Sequence, residues 1–252
     1  MFGLIKKDEK TKARAGILET ARGKIETPVF MPVGTQATVK AIEQRELVES
    51  GAKIILGNTY HLYLRPGTDV IHKLGGLHRF MNWQDSILTD SGGYQVFSLK
   101  DLRKLSEDGV EFKSHIDGSS HFFSPEKVIE IQRYSGSDIV MVLDECTPYP
   151  STREYTSKSM ELSYRWAERS IVAFDKSAAL YGKKQFLFAI VQGGMYDDLR
   201  AAYLNRAVQI EFDGYAIGGL SVGEPAEIMY YITDICTDII PEKKPRYLMG
   251  VG

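Results

Sequence analysis

One recurring unit constrains this chain more than any other feature. A short, unbroken apolar run ends in Gly, Asp, Asn or Gln, and a polar loop and a helical stretch follow. The runs are Val29-Phe30-Met31-Pro32-Val33, Ile54-Ile55-Leu56, Ile87-Leu88, Ile139 to Leu143, Phe186 to Val191, Tyr215-Ala216-Ile217 and Tyr247-Leu248-Met249. Continuous runs, unlike alternating ones, suit strands buried on both faces of a parallel sheet. The intervening segments carry helix signals. Ser124-Pro125-Glu126 sets a cap residue before a first-turn proline. Stripes at helical spacing run through Met160, Tyr164, Ala167, Ile171 and Phe174, through Leu199, Tyr203, Ala207 and Ile210, and through Ile228, Tyr231, Ile235 and Ile239. Val110 to Phe123 instead alternates around Asp117-Gly118, which predicts a hairpin inserted in the third strand's loop.

Strand–helix alternation leaves a doubly wound sheet or a (β/α)8 barrel. No GxGxxG follows the first strand and no Walker lysine is present, which argues against a nucleotide-binding fold. Seven runs spread over residues 1–252 predict one α/β domain, a (β/α)8 TIM barrel with insertions. A barrel needs eight strands, so the expectation is a barrel truncated before its eighth strand, with an open edge.

Composition excludes several classes. With 31 Lys+Arg against 33 Asp+Glu, the chain lacks the basic excess of a whole-protein nucleic-acid binder. Basic clusters at Lys6 to Arg14, Lys100 to Lys104 and Lys243 to Arg246 read first as solvated loops and helix ends, although a local patch could still contact phosphate. No apolar run approaches the roughly 20 residues of a membrane span. Met1 to Asp8 turns charged too early for a secretory signal. Two cysteines, Cys146 and Cys236, do not make a disulfide framework, and the expected location is cytoplasmic.

In a barrel the chemistry sits at the C-terminal ends of the strands. Those ends read Gly57-Asn58-Thr59-Tyr60-His61, Thr89-Asp90-Ser91-Gly92-Gly93-Tyr94-Gln95, Leu143-Asp144-Glu145-Cys146, Val191-Gln192-Gly193-Gly194 and Ile217-Gly218-Gly219-Leu220-Ser221. Singly, each has a plain structural explanation: an Asp can cap a helix, paired glycines make tight turns, His61 can be structural, and Cys146 can be a small buried hydrophobe. Together they place the carboxylates of Asp90 and Asp144 in one bowl with a carboxamide and Gly N–H groups. A carboxylate accepts two adjacent hydrogen bonds, matching the N1–H and exocyclic amine of guanine. Amide and Gly N–H groups donate, matching its O6, and Tyr94 and Met249 can cover the ring faces. The same residues could also hold a sugar.

Several long stretches resemble queuine tRNA-ribosyltransferases, also called tRNA-guanine transglycosylases, of the bacterial type. They are Gly57 to Leu62, Asp90 to Leu99, Asp144 to Tyr149, Val191 to Gly194, Gly218 to Glu224 and Tyr247 to Gly252, in the family's order from end to end. The resemblance implies exchange of an anticodon wobble guanine in tRNA for 7-aminomethyl-7-deazaguanine, in queuosine synthesis, through a covalent enzyme–RNA intermediate. It implies that Asp90 is the catalytic acid/base and that Asn58 lies beside the catalytic aspartates. Ser91, Tyr94, Gln95, Asp144, Gln192, Gly218, Gly219, Leu220 and Met249 would hold the base, and Gly250, Val251 and Gly252 would contact RNA. The partners implied are the tRNA anticodon loop, guanine and 7-deazaguanine bases, and a second copy in a homodimer. The family's nucleophilic aspartate and the Cys/His ligands of its structural zinc lie beyond Gly252, so no metal or other cofactor is expected in this chain. A non-catalytic barrel subunit binding RNA or a partner is the alternative. A glycoside hydrolase using Asp90 and Asp144 ranks last, because only Trp83 and Trp166 could line a sugar groove.

Overall fold

The computed structural model describes residues 1–99 and 102–251, and it buries the central apolar runs on both faces. The first run departs from this: Val29, Phe30 and Val33 are 44%, 63% and 52% exposed, and only Val33 enters a strand, because the run lies at the open edge of the sheet. Ile139, Val140 and Met141 are at most 1% exposed, as are Leu187, Ala189, Ile190 and Val191. In chain order three antiparallel strands come first, β1 (Phe2–Lys7), β2 (Arg14–Thr20) and β3 (Gly23–Thr27). Then follow β4 (Val33–Gly34), α1 (Gln44–Glu49) and β5 (Ile54–Gly57). Three short helices, α2 (Thr59–Leu64), α3 (Thr68–Lys73) and α4 (Leu77–Met81), lead to β6 (Ser86–Thr89) and α5 (Gly93–Ser98). The chain then leaves the barrel as β7 (Arg103–Leu105), β8 (Val110–Lys113) and β9 (Ser120–Phe123), and returns through α6 (Pro125–Ser135) to β10 (Ile139–Met141). Finally α7 (Arg153–Lys176), β11 (Phe186–Val191), α8 (Asp197–Ala207), β12 (Gly214–Ile217), α9 (Ala226–Ile239) and β13 (Arg246–Leu248) alternate.

The seven expected strands form one curled parallel sheet in the order β13-β12-β11-β10-β6-β5-β4, a barrel wall whose edges are β13 and β4. Among the described residues no strand joins these edges. A cleft of about 590 Å3 lies there, lined by Val33 and Leu56 from one side, Tyr247 and Leu248 from the other, and Leu18 and Ile25 of the N-terminal sheet.

The helix signals work as read. Ser124 Oγ accepts from the amide of Lys127 at 3.1 Å, Pro125 opens α6, and Gly136 ends it at φ 68°. The hairpin forms as β8 and β9. The segments that flank it are anchored on α7: Arg165 grips Glu107, in the loop before β8, in bidentate fashion (2.7 and 2.8 Å), and Arg169 grips Glu126, at the start of α6 (2.8 and 2.8 Å). Phe112 and Phe123 of the hairpin share a core with Tyr60, Val128 and Trp166.

Three expectations need correction. The sequence signals neither the N-terminal sheet β1–β3, because Lys6 to Arg14 reads as a loop, nor strand β7, which is only three residues long. The turn within Lys6 to Arg14 is instead tied by Asp8, whose Oδ1 accepts from the amides of Lys10 (2.9 Å) and Thr11 (2.7 Å). The cluster is also met by protein groups: Lys12 by Asp234 and Asp238, Lys7 by Glu242, and Arg14 by the carbonyls of Glu242 and Lys244. On α9 the most buried residues are Ile232 and Cys236, whereas Tyr231 is exposed and donates to Asp197, so the apolar stripe is rotated from its expected face. Helix α8 ends at Ala207, leaving Ile210 in the following turn.

Candidate active site

Strand register builds the site. In the β5–β6 pair Gly57 stands opposite Thr89, so the next residues, Asn58 and Asp90, emerge side by side. On the other half Val191, Ile217 and Leu248 share one level, and Gln192, Gly218 and Met249 follow. Asp144 comes three residues after β10. These groups meet at the C-terminal mouth around a cavity of about 340 Å3, whose wall includes Asp90, Ser91, Tyr94, Gln95, Asp144, Gly218, Gly219, Leu220 and Met249. The larger cleft at the sheet edge has no carboxylate in its wall, so size does not mark the site. At the opposite ends of the strands, Asp138 and Asp213 accept from the amides of Ile87 and Leu187, both at 2.9 Å, and serve the sheet itself.

Asp90 is buried in a cage of donors. Its Oδ1 accepts from the amides of Thr59 (2.9 Å) and Gly92 (3.1 Å), and its Oδ2 accepts from Asn58 Nδ2 (2.5 Å). Asn58 also caps α2, its Oδ1 accepting from the amide of His61 at 3.1 Å. Burial outweighs these bonds and the nearby charge of Asp144 adds to it, so the Asp90 carboxyl is pushed up to about 7. Asp144 accepts from Ser91 Oγ (2.8 Å) on Oδ1 and from Gln192 Nε2 (2.7 Å) on Oδ2. Burial pushes it up to about 6, against the two hydrogen bonds.

Both carboxyls therefore hold protons in the folded chain at pH values where the unfolded chain, near 3.8, has lost them. The folded state binds more protons between about pH 4 and 7, so stability falls as pH rises through that window and levels off above it. We expect the denaturation free energy at pH 7.5 to lie more than about 1 kcal/mol below that at pH 5. Asp90→Asn should flatten that slope, and a profile that rises from pH 5 to 7.5 would contradict the shifts.

Glycine is required where Asp144 crosses α5. A Cβ on Gly93 would stand 2.5 Å from the backbone oxygen of Asp144 and 2.9 Å from its Oδ1. Gly93→Ala must therefore displace the Asp144 segment, at a cost of about 1–3 kcal/mol that urea denaturation would register. A stability unchanged within error would show that this approach is looser than 2.5 Å.

Of the residues expected at the site, Asn58 and Gln192 reach the cavity only through the carboxylates they hold. The side-chain oxygens of Gln95 and Gln192 are buried without a hydrogen-bond partner, an arrangement that costs stability unless a ligand supplies donors. Tyr94 is 52% exposed at the rim of the cavity, and Met249 is also in its wall. Gly250 lines both the cavity and the edge cleft, Val251 lines only the cleft, and Gly252 lies outside the described residues. Cys146 is buried with its thiol pushed up to about 12 by burial, which keeps it protonated and unsuited as a nucleophile. The zinc that the family resemblance implies finds no donor set here: no group of three or more His, Cys, Asp or Glu among the described residues could hold a metal. Trp83 and Trp166 are 1% and 0% exposed, so neither offers a platform for a sugar.

Three contributors are not singled out by sequence reasoning. Thr59 supplies an amide to Asp90, Tyr247 lines the cavity, and Arg200 fastens the strand ends from behind. Thr59 was detectable as the first residue after a capping Asn. Arg200 was detectable as a charge set within the apolar stripe Leu199, Tyr203 and Ala207.

Comparison with known proteins points to one family. A family model described as Queuine tRNA-ribosyltransferase matches residues 8–252. The chain is 64% identical over 251 residues to the queuine tRNA-ribosyltransferase of Thermoanaerobacter sp. (strain X514), covering 100% of this chain and 66% of the relative. It is 60% identical over 247 residues to the protein of that name from Fusobacterium nucleatum, covering 97% and 65%. With the one from Acetivibrio thermocellus it shares 57% over 251 residues, covering 100% and 66%. The chain thus spans about two thirds of the length of these relatives.

Proposed function

The chain belongs to the queuine tRNA-ribosyltransferase family, and from that membership and the site's geometry we propose that it carries the base-recognition and proton-transfer part of a tRNA-guanine transglycosylase. The overall reaction is exchange of an anticodon wobble guanine for 7-aminomethyl-7-deazaguanine. The observation that carries this reading is the pairing of two differently held carboxyls. Asp144 is fixed by Ser91 and Gln192 in the cavity wall, and Asp90 is caged beside it with a proton affinity near neutrality.

Asp144, ionised, accepts the N1–H and exocyclic N–H of the base. Gly219 N–H donates to O6, and Tyr94 and Met249 cover the ring faces. Asp90 takes the ring N–H proton of the incoming base, and a carboxyl poised near the working pH suits that transfer. The target base must leave its stack to reach the bowl. In the family scheme the ribose is meanwhile held on an aspartate carboxylate, which divides one displacement into two and conserves configuration at the anomeric carbon. That aspartate is expected C-terminal of Gly252. A homodimer and a cytoplasmic location belong to the same reading. Among the described residues no helix is long and apolar enough to cross a membrane.

A non-catalytic subunit is disfavoured because Asp90, Asp144 and Gln192 are all in place and mutually bonded or adjacent. The test is incorporation of labelled guanine into unmodified tRNA with a G-starting anticodon by the protein containing this chain. Incorporation supports the proposal. RNA binding without any exchange would favour the non-catalytic subunit.

A further inference from the structure

Arg200 lies in α8 with 0% exposure, and all its hydrogen bonds among the described residues go to carbonyl oxygens at the strand ends. Nε donates to Gly194 O (2.9 Å), Nη1 to both Val191 O and Gly218 O (2.7 Å each), and Nη2 to Gly219 O (3.4 Å). A guanidinium withdrawn from water is costly, and four carbonyls compensate it without a carboxylate. The side chain is absent from the cavity wall, whereas Gly218 and Gly219 are part of it.

Peptide geometry gives this placement a consequence for recognition. In a trans peptide the C=O and N–H point in opposite directions. With Gly218 O held toward Arg200, the Gly219 N–H of that same peptide points away from Arg200, to the side of the cavity. Gly218 N is engaged with Val191 O, while Gly219 N has no backbone partner among the described residues. The turn needs glycine at 219, where φ is +62° and a Cβ would stand 2.5 Å from Gln192 Oε1. A carbonyl bonded to a cation also makes its peptide a stronger N–H donor.

We propose that Arg200 is a positioning residue for base recognition: it orients and polarises the Gly218–Gly219 peptide so that the Gly219 N–H binds the carbonyl oxygen of a guanine-type base. The inference rests on the base-exchange reading above and names the group behind its O6 contact. The negative charge on that oxygen grows as the base departs, so the arrangement assists departure as well as binding. Lysine cannot replace the fork, because a single ammonium does not reach carbonyls on separate loops in a planar array.

The experiment compares guanine with 6-thioguanine, which keeps N1–H and the exocyclic amine but offers sulfur, a weak acceptor, in place of O6. Affinities are measured by calorimetry for wild type, Arg200→Gln and Arg200→Lys, with circular dichroism to confirm folding. Wild type should prefer guanine by about tenfold or more, and the preference should shrink toward unity in both variants. Equal weakening of both bases, with the preference intact, would reduce Arg200 to a structural clamp and overturn the proposal. Wild type that binds neither base would instead overturn the base-exchange reading itself. If the variants do not fold, the Gly219 amide proton of wild type carries the test. A downfield shift with guanine but not with 6-thioguanine supports the contact, and no shift with either overturns it.

Discussion

Replacing Asp90 with asparagine should lower base exchange by about a hundredfold to ten-thousandfold, the range that a positioned general acid/base supplies. The carboxyl, pushed up to about 7 by burial, can both accept and return a proton near neutral pH, and Asp144 beside it is committed to Ser91 and Gln192. Asparagine has nearly the same shape but does neither. The fold should survive, because the new Oδ1 can still accept from the amides of Thr59 and Gly92. The strained point is Asn58, whose Nδ2 would face a second amide N–H group. If Asn58 turned over to relieve that clash, its oxygen would no longer cap α2, at a cost of about 1 kcal/mol. Removal of a buried charge offsets part of this. The check is incorporation of labelled 7-aminomethyl-7-deazaguanine into unmodified tRNA, with thermal melting alongside. Activity retained within a few-fold would remove Asp90 from proton transfer.

Asp144→Asn should weaken guanine binding by about a hundredfold or more and abolish its preference over adenine. Two hydrogen bonds to a charged acceptor are at stake, each contributing about 1.5–3 kcal/mol. Ser91 and Gln192 both aim donors at this carboxylate, so a carboxamide there leaves one of them facing an N–H group. The base's N1–H and amine then lose their paired acceptor. A site that loses a matched polar group discriminates far less than one that loses only apolar contact. Calorimetric titration with guanine and adenine measures both effects. Guanine affinity unchanged in the variant would mean that Asp144 does not read the base edge. The same reading requires guanine binding to weaken below about pH 6, where Asp144 takes up its proton.

Sequence and structure agree most closely where burial dictates residue type. The runs at Ile139 to Leu143 and Phe186 to Val191 have no polar alternative on either face, and strand ends follow from where such a run stops. That is why Asp90, Asp144 and Gln192 are readable as one bowl without coordinates. The N-terminal sheet was not legible, because β1 is largely exposed and the lysines of β1 and of its turn to β2 are met by partners on distant segments, such as Glu242 and Asp234. Edge strand β13 is only half-buried, yet its run Tyr247-Leu248-Met249 is still apolar enough to be read as a strand. The α9 stripe differs from its sequence pattern because Tyr231, apolar by type, turns its hydroxyl to Asp197 while the smaller Cys236 takes the core. Within the site, side chains and the glycine N–H groups were legible and the Thr59 amide was not. That amide acts through chain direction, which residue identity alone does not specify.

The most direct test of the central claim, that this bowl is a site for a guanine-type base, is the melting temperature of the protein with guanine, 7-aminomethyl-7-deazaguanine or adenine. A ligand that binds only the folded state raises stability by mass action, by about 2.7 kcal/mol at a hundred times its dissociation constant. Guanine and the deaza base should each raise the melting temperature, adenine should leave it unchanged, and Asp144→Asn should remove the response. Equal shifts with adenine, or none with guanine, would contradict the assignment.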